Sequence, residues 1–183
     1  MGTIPTIPTF ANPITSAYFA AIKATSDFWA LTPRCSVYQS SAQSIAVSGT
    51  AAVIGFDSEV YDIVQSGDSP SHDNATLNSR IIIRTPGKYE ITGQVYYAAN
   101  GTGTRSAEIR LNAAGNIASG TRISLNQQTA LTGPGTPATP PPVEAALVAG
   151  DYVEIFGTQT SGGALNTAPG SGLTFLRVKL TGA

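Results

Sequence analysis

From residue 34 onward the chain alternates apolar and polar positions with period two, the spacing of half-buried strands. The clearest stretch is SRIIIRTPGKYEITGQVYYAANG. There Ile81, Ile82 and Ile83 form a β-branched run and Pro86-Gly87 supplies a turn. The strand that follows sets Tyr89, Ile91, Gly93, Val95 and Tyr97 on one face and Glu90, Thr92, Gln94 and Tyr96 on the other. SAEIRLN repeats the pattern, with Ala107, Ile109 and Leu111 inward and Glu108, Arg110 and Asn112 outward. TRISLNQQTAL continues it with Ile123 and Leu125, and PVEAALVAGDYVEIFG carries two strands about a Gly150-Asp151 turn. TFLRVKLTG sets Leu176, Val178 and Leu180 opposite Phe175, Arg177 and Lys179. CSVYQS, QSIAVSG and AAVIGFDSEVYDIV add further strands. Many short strands at near-regular spacing, with no helical period, predict an all-β sandwich or jelly roll over residues 34–183.

The first 33 residues read differently, as an arm and a helix separate from that domain. TIPTIPTFA alternates Thr, Ile and Pro, and Pro5 and Pro8 hold it extended. Its apolar side chains Ile4, Ile7 and Phe10 need a surface to lie against, the chain's own or a partner's. A helix is expected over 12–31, with Asn12 as N-cap, Pro13 in the first position and Thr32-Pro33 as the stop. Ile14, Tyr18, Ile22 and Trp29 form one stripe along it. Five turns carry a single Lys and a single Asp, so the helix has little solvated face. It packs either on its own domain or against copies of itself in an assembly, and an assembly suits a β-rich domain better.

Composition narrows the chemistry. Only 11% of the 183 residues are charged, with ten Lys and Arg against eleven Asp and Glu, where an average soluble domain has about a quarter. Near-zero net charge argues against a nucleic-acid binder working by counterion release. Nineteen Gly and twelve Pro favour turn-rich β structure. No run is long and apolar enough for a membrane helix, and the start of the chain lacks a secretory-signal pattern. The expectation is therefore a soluble product made in a cytoplasm, with no nucleic-acid and no membrane partner.

One Cys and one His leave no structural zinc set, and Cys35 reads as a small buried hydrophobe. His72 has Asp73 beside it, but neighbours on an extended chain point apart, so the two do not make an acid–base pair. A loop histidine making turn hydrogen bonds is the plainer reading. No nucleophile elbow, phosphate loop or zinc-protease motif occurs. Asp57, Glu59 and Asp62, or Asp68 and Asp73, offer oxygen ligands to calcium, but without the spacing of a known loop. They read as strand edges and turn formers. No enzymatic activity, cofactor or metal is expected.

Tyr96 and Tyr152 fall opposite the apparent core side of their strands. They are ordinary surface aromatics or part of a subunit interface, where Tyr is enriched and charge depleted. Low charge over the whole chain favours the interface. The candidate interface set is Ile4, Ile7, Phe10, Ile14, Tyr18, Ile22, Trp29, Tyr96 and Tyr152.

The strand sequence also resembles a known family. VIGFDSEVYDIV, SRIIIRTPGKYEITGQVYY, AEIRLNAAG, LVAGDYVEIFG and GLTFLRVKL are similar, in order and spacing over about 145 residues, to the globular head of complement subcomponent q, which shares its jelly roll with tumour necrosis factor. The pieces that carry the likeness are Phe56, the Pro86-Gly87-x-Tyr89 turn, Asn112, the Gly150-Asp151 pair, and Phe175, Leu176 and Val178 in the last strand. ANPITSAYFAAIKATSDFWALTPRCSVYQS, leading into such a domain, resembles minor tail and other virion proteins of tailed phages infecting actinobacteria. The resemblance implies a complement-q-like jelly-roll head, a homotrimer, and location on a virion. Residues 1–33 would attach it to other virion proteins, and a host-surface glycan or protein would be touched by the head. Capsid decoration is the alternative within the same class; an envelope polysaccharide depolymerase is the alternative from another.

Overall fold

The computed structural model describes residues 15–46 and 49–182. It divides the chain into two compact units, Met1–Leu31 and Thr32–Ala183.

In the first unit, α1 spans Ser16–Ala30. Thr15 caps it: its Oγ1 accepts the Tyr18 N–H at 3.3 Å, and its carbonyl accepts the amides of Tyr18 and Phe19. The described helix, within the 12–31 expected, begins at Ser16, where the threonine hydroxyl three residues before Tyr18 satisfies an orphan amide of the first turn. Asn12 and Pro13 themselves lie outside the described residues.

The second unit is built from β1 (Arg34–Tyr38), β2 (Ser44–Ile45), β3 (Ala52–Val53), β4 (Ser58–Ile63), β5 (Arg80–Ile82), β6 (Gly87–Tyr97) and β7 (Thr104–Leu111). They are followed by β8 (Thr121–Thr129), β9 (Thr136–Ala138), β10 (Val143–Leu147), β11 (Tyr152–Gln159), β12 (Leu165–Asn166) and β13 (Phe175–Gly182). One sheet runs β10-β6-β13-β1-β4, with β9 continuing along β6; the other runs β3-β11-β7-β8, with β5 also on β11. Every pairing is antiparallel.

The inward faces follow the sequence alternation. Val37, Ile91, Val95, Leu176 and Val178 of the first sheet, and Ile81, Ile109, Val153 and Ile155 of the second, are buried. Strands β10 and β11 lie in different sheets, so the Gly150-Asp151 turn passes the chain across the sandwich. Gly150 supplies a positive φ there, and the Asp151 carboxylate accepts the Val148 amide. Leu125 departs from expectation: it is 41% exposed. A bulge between Ile109 and Arg110 shifts the β7–β8 register, so Leu125 stands opposite outward-facing Glu108.

Candidate interaction surface

The outward face of the six-stranded sheet follows from its register. Tyr38 of β1 pairs with Phe175 of β13, which pairs with Gln94 of β6; Ser58 of β4 stands on the other side of Tyr38. Two residues along the strands come Tyr61, Ser36, Arg177 and Thr92, and two further Arg34, Lys179, Glu90 and Glu144. At the opposite end Tyr96 pairs with Pro137 of β9. Charge therefore collects at one end of this face and aromatic surface at the other.

The two ends are joined by cation–π contacts. Arg177 lies 4.1 Å over the Phe175 ring and also donates to Ser36 Oγ at 3.1 Å. Arg34 lies 5.6 Å from the centre of the Tyr61 ring. Ser36 is thereby covered to 1% exposure although it points outward. Guanidinium planes laid over rings leave a smooth, preordered surface, which lowers the side-chain ordering cost of docking.

Tyr152 sits elsewhere. It belongs to the outward face of the other sheet, where the Arg80 guanidinium stacks on its ring at 4.3 Å. Arg80 also pairs with Glu154 at 3.1 Å, and Glu154 is wholly buried, accepting from Ser79 Oγ and the Gly115 amide. Tyr96 and Tyr152 are thus on opposite sides of the sandwich, and the structure does not bring them onto one surface. In α1, Tyr18 and Ile22 lie one turn apart, 57% and 49% exposed in the single chain, with Phe19 at 61%. Trp29 is in the same helix. Ile4, Ile7, Phe10 and Ile14 lie outside the described residues.

The titratable candidates have local partners. The His72 ring is 5% exposed, with Nδ1 2.9 Å from the Arg80 carbonyl and Nε2 3.1 Å from that of Phe56. Asp73 accepts the amides of Ala75 and Thr76 and the Thr76 hydroxyl. Those bonds, the Thr76 hydroxyl first, hold the Asp73 carboxyl down at about 2. Asp62 accepts the Ser71 and His72 amides, and Asp57 accepts the amide and hydroxyl of Ser40. Among the described residues no three His, Cys, Asp or Glu are grouped to hold a metal. No described helix is long and apolar enough to cross a membrane. Cys35 is buried against Asp62, and burial together with the Asp62 and Glu59 charges pushes its thiol far up.

No protein-family model matches the chain, and no curated protein matches its sequence. Solved structures do. Eiger, a tumour necrosis factor of S. frugiperda, superposes with a TM-score of 0.58 at 17% identity, over 83% of this chain and 94% of its own. Murine APRIL gives 0.58 at 9% identity over 81% and 98%, and the globular domain of zebrafish complement 1qA gives 0.53 at 12% over 81% and 97%. The fold is a tumour-necrosis-factor-like, complement-q-like jelly roll.

Within this jelly roll, the residues that sequence reasoning passed over as candidates are Tyr38, Tyr61 and Phe175. The alternation of CSVYQS and TFLRVKLTG already sends Tyr38 and Phe175 outward. What it does not give is that β1 and β13, far apart in sequence, are neighbours, so that the two residues stand side by side across one strand spacing. Tyr89, Tyr97 and Phe156 are core aromatics, each no more than 2% exposed.

Proposed function

We propose that the chain is a non-enzymatic virion structural protein of a tailed phage, a homotrimer of jelly-roll heads displayed by residues 1–33 and touching the host surface. The observation that supports it best is the outward face of the six-stranded sheet, with Tyr38, Tyr61, Tyr96 and Phe175 toward one end and guanidiniums folded onto rings. The aromatic end of this face suits burial against a sister copy. The fold commonly forms trimers. The helix supports the same reading. Fifteen residues are marginal as an isolated helix, and α1 exposes Tyr18, Phe19 and Ile22 in the single chain. Three heads on one axis raise avidity for a repeated ligand without strong single contacts.

Gold-labelled antibody on purified particles tests the setting: label at the tail tip is expected, and label over the head replaces host contact with capsid decoration. Labelled protein is expected to decorate host cells. New reducing ends released from envelope polysaccharide by the pure protein would overturn the non-enzymatic reading.

A further inference from the structure

Between edge strand β4 of one sheet, strand β5 of the other and the segment 69–77 lies a cleft of about 440 Å³, within the size range of small-molecule sites. Its walls are firmly built. Asp62 on β4 accepts the amides of Ser71 at 2.6 Å and His72 at 3.1 Å, and the His72 ring is held between two backbone carbonyls. Asp73 fastens the turn that follows through Ala75 and Thr76. At the rim stands Leu77, 59% exposed and with a φ of +52°. A leucine seldom adopts that conformation, so strained backbone presents an apolar side chain to solvent.

The unspent hydrogen-bonding capacity of the cleft indicates what it would take. The formal charges of its carboxylates and guanidiniums, Glu59, Asp73, Arg80 and Arg84, cancel. Asp73 already uses both oxygens on its own turn. Arg80 gives one terminal nitrogen to Glu154 and stacks on the Tyr152 ring, while its Nε is buried without a partner among the described residues. Arg84 gives Nε and one terminal nitrogen to the Pro70 carbonyl, at 2.9 and 2.6 Å, leaving its other terminal nitrogen unused. The Glu59 carboxylate has no hydrogen-bond or ion-pair partner among the described residues, although its charge bears on the Cys35 thiol. A simple anion meets Glu59 and a simple cation meets Arg84, while an apolar ligand strands both. A ligand bearing several hydroxyls meets both, one hydroxyl donating to the carboxylate and another accepting from the guanidinium. Leu77 and Ile82 offer apolar contact for the C–H face of a ring.

We infer that this cleft is a binding subsite for a neutral, hydroxyl-rich ring, the size of one hexose residue of a glycan. The inference rests on the host-contact reading above and gives it a place and a ligand class.

The test is saturation-transfer NMR on the full chain with D-glucose, D-galactose, N-acetyl-D-glucosamine and myo-inositol, and with glycine and alanine as zwitterionic probes. Transfer to the ring protons of at least one hexose is expected. Glu59→Ala is expected to weaken that affinity about tenfold, the loss of one charge-assisted hydrogen bond. Leu77→Gly is expected to weaken it too, while leaving the melting temperature unchanged or raised, because glycine is at ease at this φ. No transfer to any sugar, transfer to the amino acids alone, or transfer undiminished in both variants would overturn the inference. Labelled protein on host cells is scored separately. Sugar binding without cell binding removes host contact and keeps the subsite; cell binding without sugar binding does the reverse.

Discussion

The hydroxyl of Tyr97, on β6 of one sheet, crosses the interior and donates to the carbonyl of Ser106 on β7 of the other at 2.5 Å, with the Thr158 carbonyl 3.1 Å away. Gly157 makes room for it. A Cβ there would stand 2.8 Å from the Tyr97 oxygen and 2.8 Å from Ile45 Cδ1. Burial pushes the phenol's pKa well up, so the hydroxyl keeps its proton and remains a donor. Tyr97→Phe is expected to cost about 1–2 kcal/mol, one hydrogen bond with little change of shape. Gly157→Ala is expected to cost more, about 2–3 kcal/mol, because the wall it strikes is packed core. Urea denaturation of both variants checks the order; equal stability of Gly157→Ala and wild type would contradict the packing.

Arg105 is wholly buried and donates to the carbonyls of Asn100, Thr102 and Thr104, with no carboxylate partner among the described residues. Its charge is stabilised by peptide dipoles and by the Tyr97 ring 5.8 Å away. Arg105→Ala strips the Asn100 and Thr102 carbonyls of this donor beside a cavity, the Thr104 carbonyl keeping the Thr160 amide, and is expected to lose about 3–5 kcal/mol. Arg105→Met fills the space without desolvating a charge and is expected to lose distinctly less. Thermal unfolding of the pair decides it, and a Met variant as unstable as the Ala variant would show that the carbonyl bonds dominate.

Asp73 gives a pH signature. Its folded-state pKa, near 2, lies below the roughly 3.9 of an unfolded aspartate. Its contribution is therefore complete above about pH 4 and is lost as the pH falls toward 2. Melting temperature is expected to drop over that window, and the drop is expected to be shallower in Asp73→Asn. Parallel pH profiles of the two proteins would contradict the assignment.

Cys35 is expected to resist iodoacetamide in the folded protein at pH 8 and to be modified fully once urea unfolds it, since only a small fraction of a thiol so placed is thiolate. Rapid labelling without denaturant would place Cys35 outside the core.

The strands themselves were legible. The period-two run of β6 and the parity of β13 named their core residues correctly, because a strand with one buried face writes that face into every second position. What lay beyond the sequence was whatever depends on neighbours. Leu125 reads as a core position until a bulge in the facing strand turns its register. Glu154, on an outward-facing position, is buried through its ties to Arg80, Ser79 and Gly115. Tyr96 and Tyr152 share a pattern but occupy different sheets, and only strand order separates them. The aromatic face is half legible: parity sends Tyr38 and Phe175 outward, and long-range pairing alone makes them one surface. Arg105 sits at an inward position of its strand, yet the carbonyls that receive it come from the preceding turn and no local pattern announces them.

The proposed trimer requires the outward face of the six-stranded sheet to be covered by sister copies. Sedimentation equilibrium of the full chain at micromolar concentration tests this most directly, run beside a Tyr38→Asp, Phe175→Asp double variant. A mass three times the 18.8 kDa chain is expected for the wild type, and a folded protein of lower mass for the variant. A wild-type protein that sediments as a single chain, or a variant that stays trimeric, would contradict it.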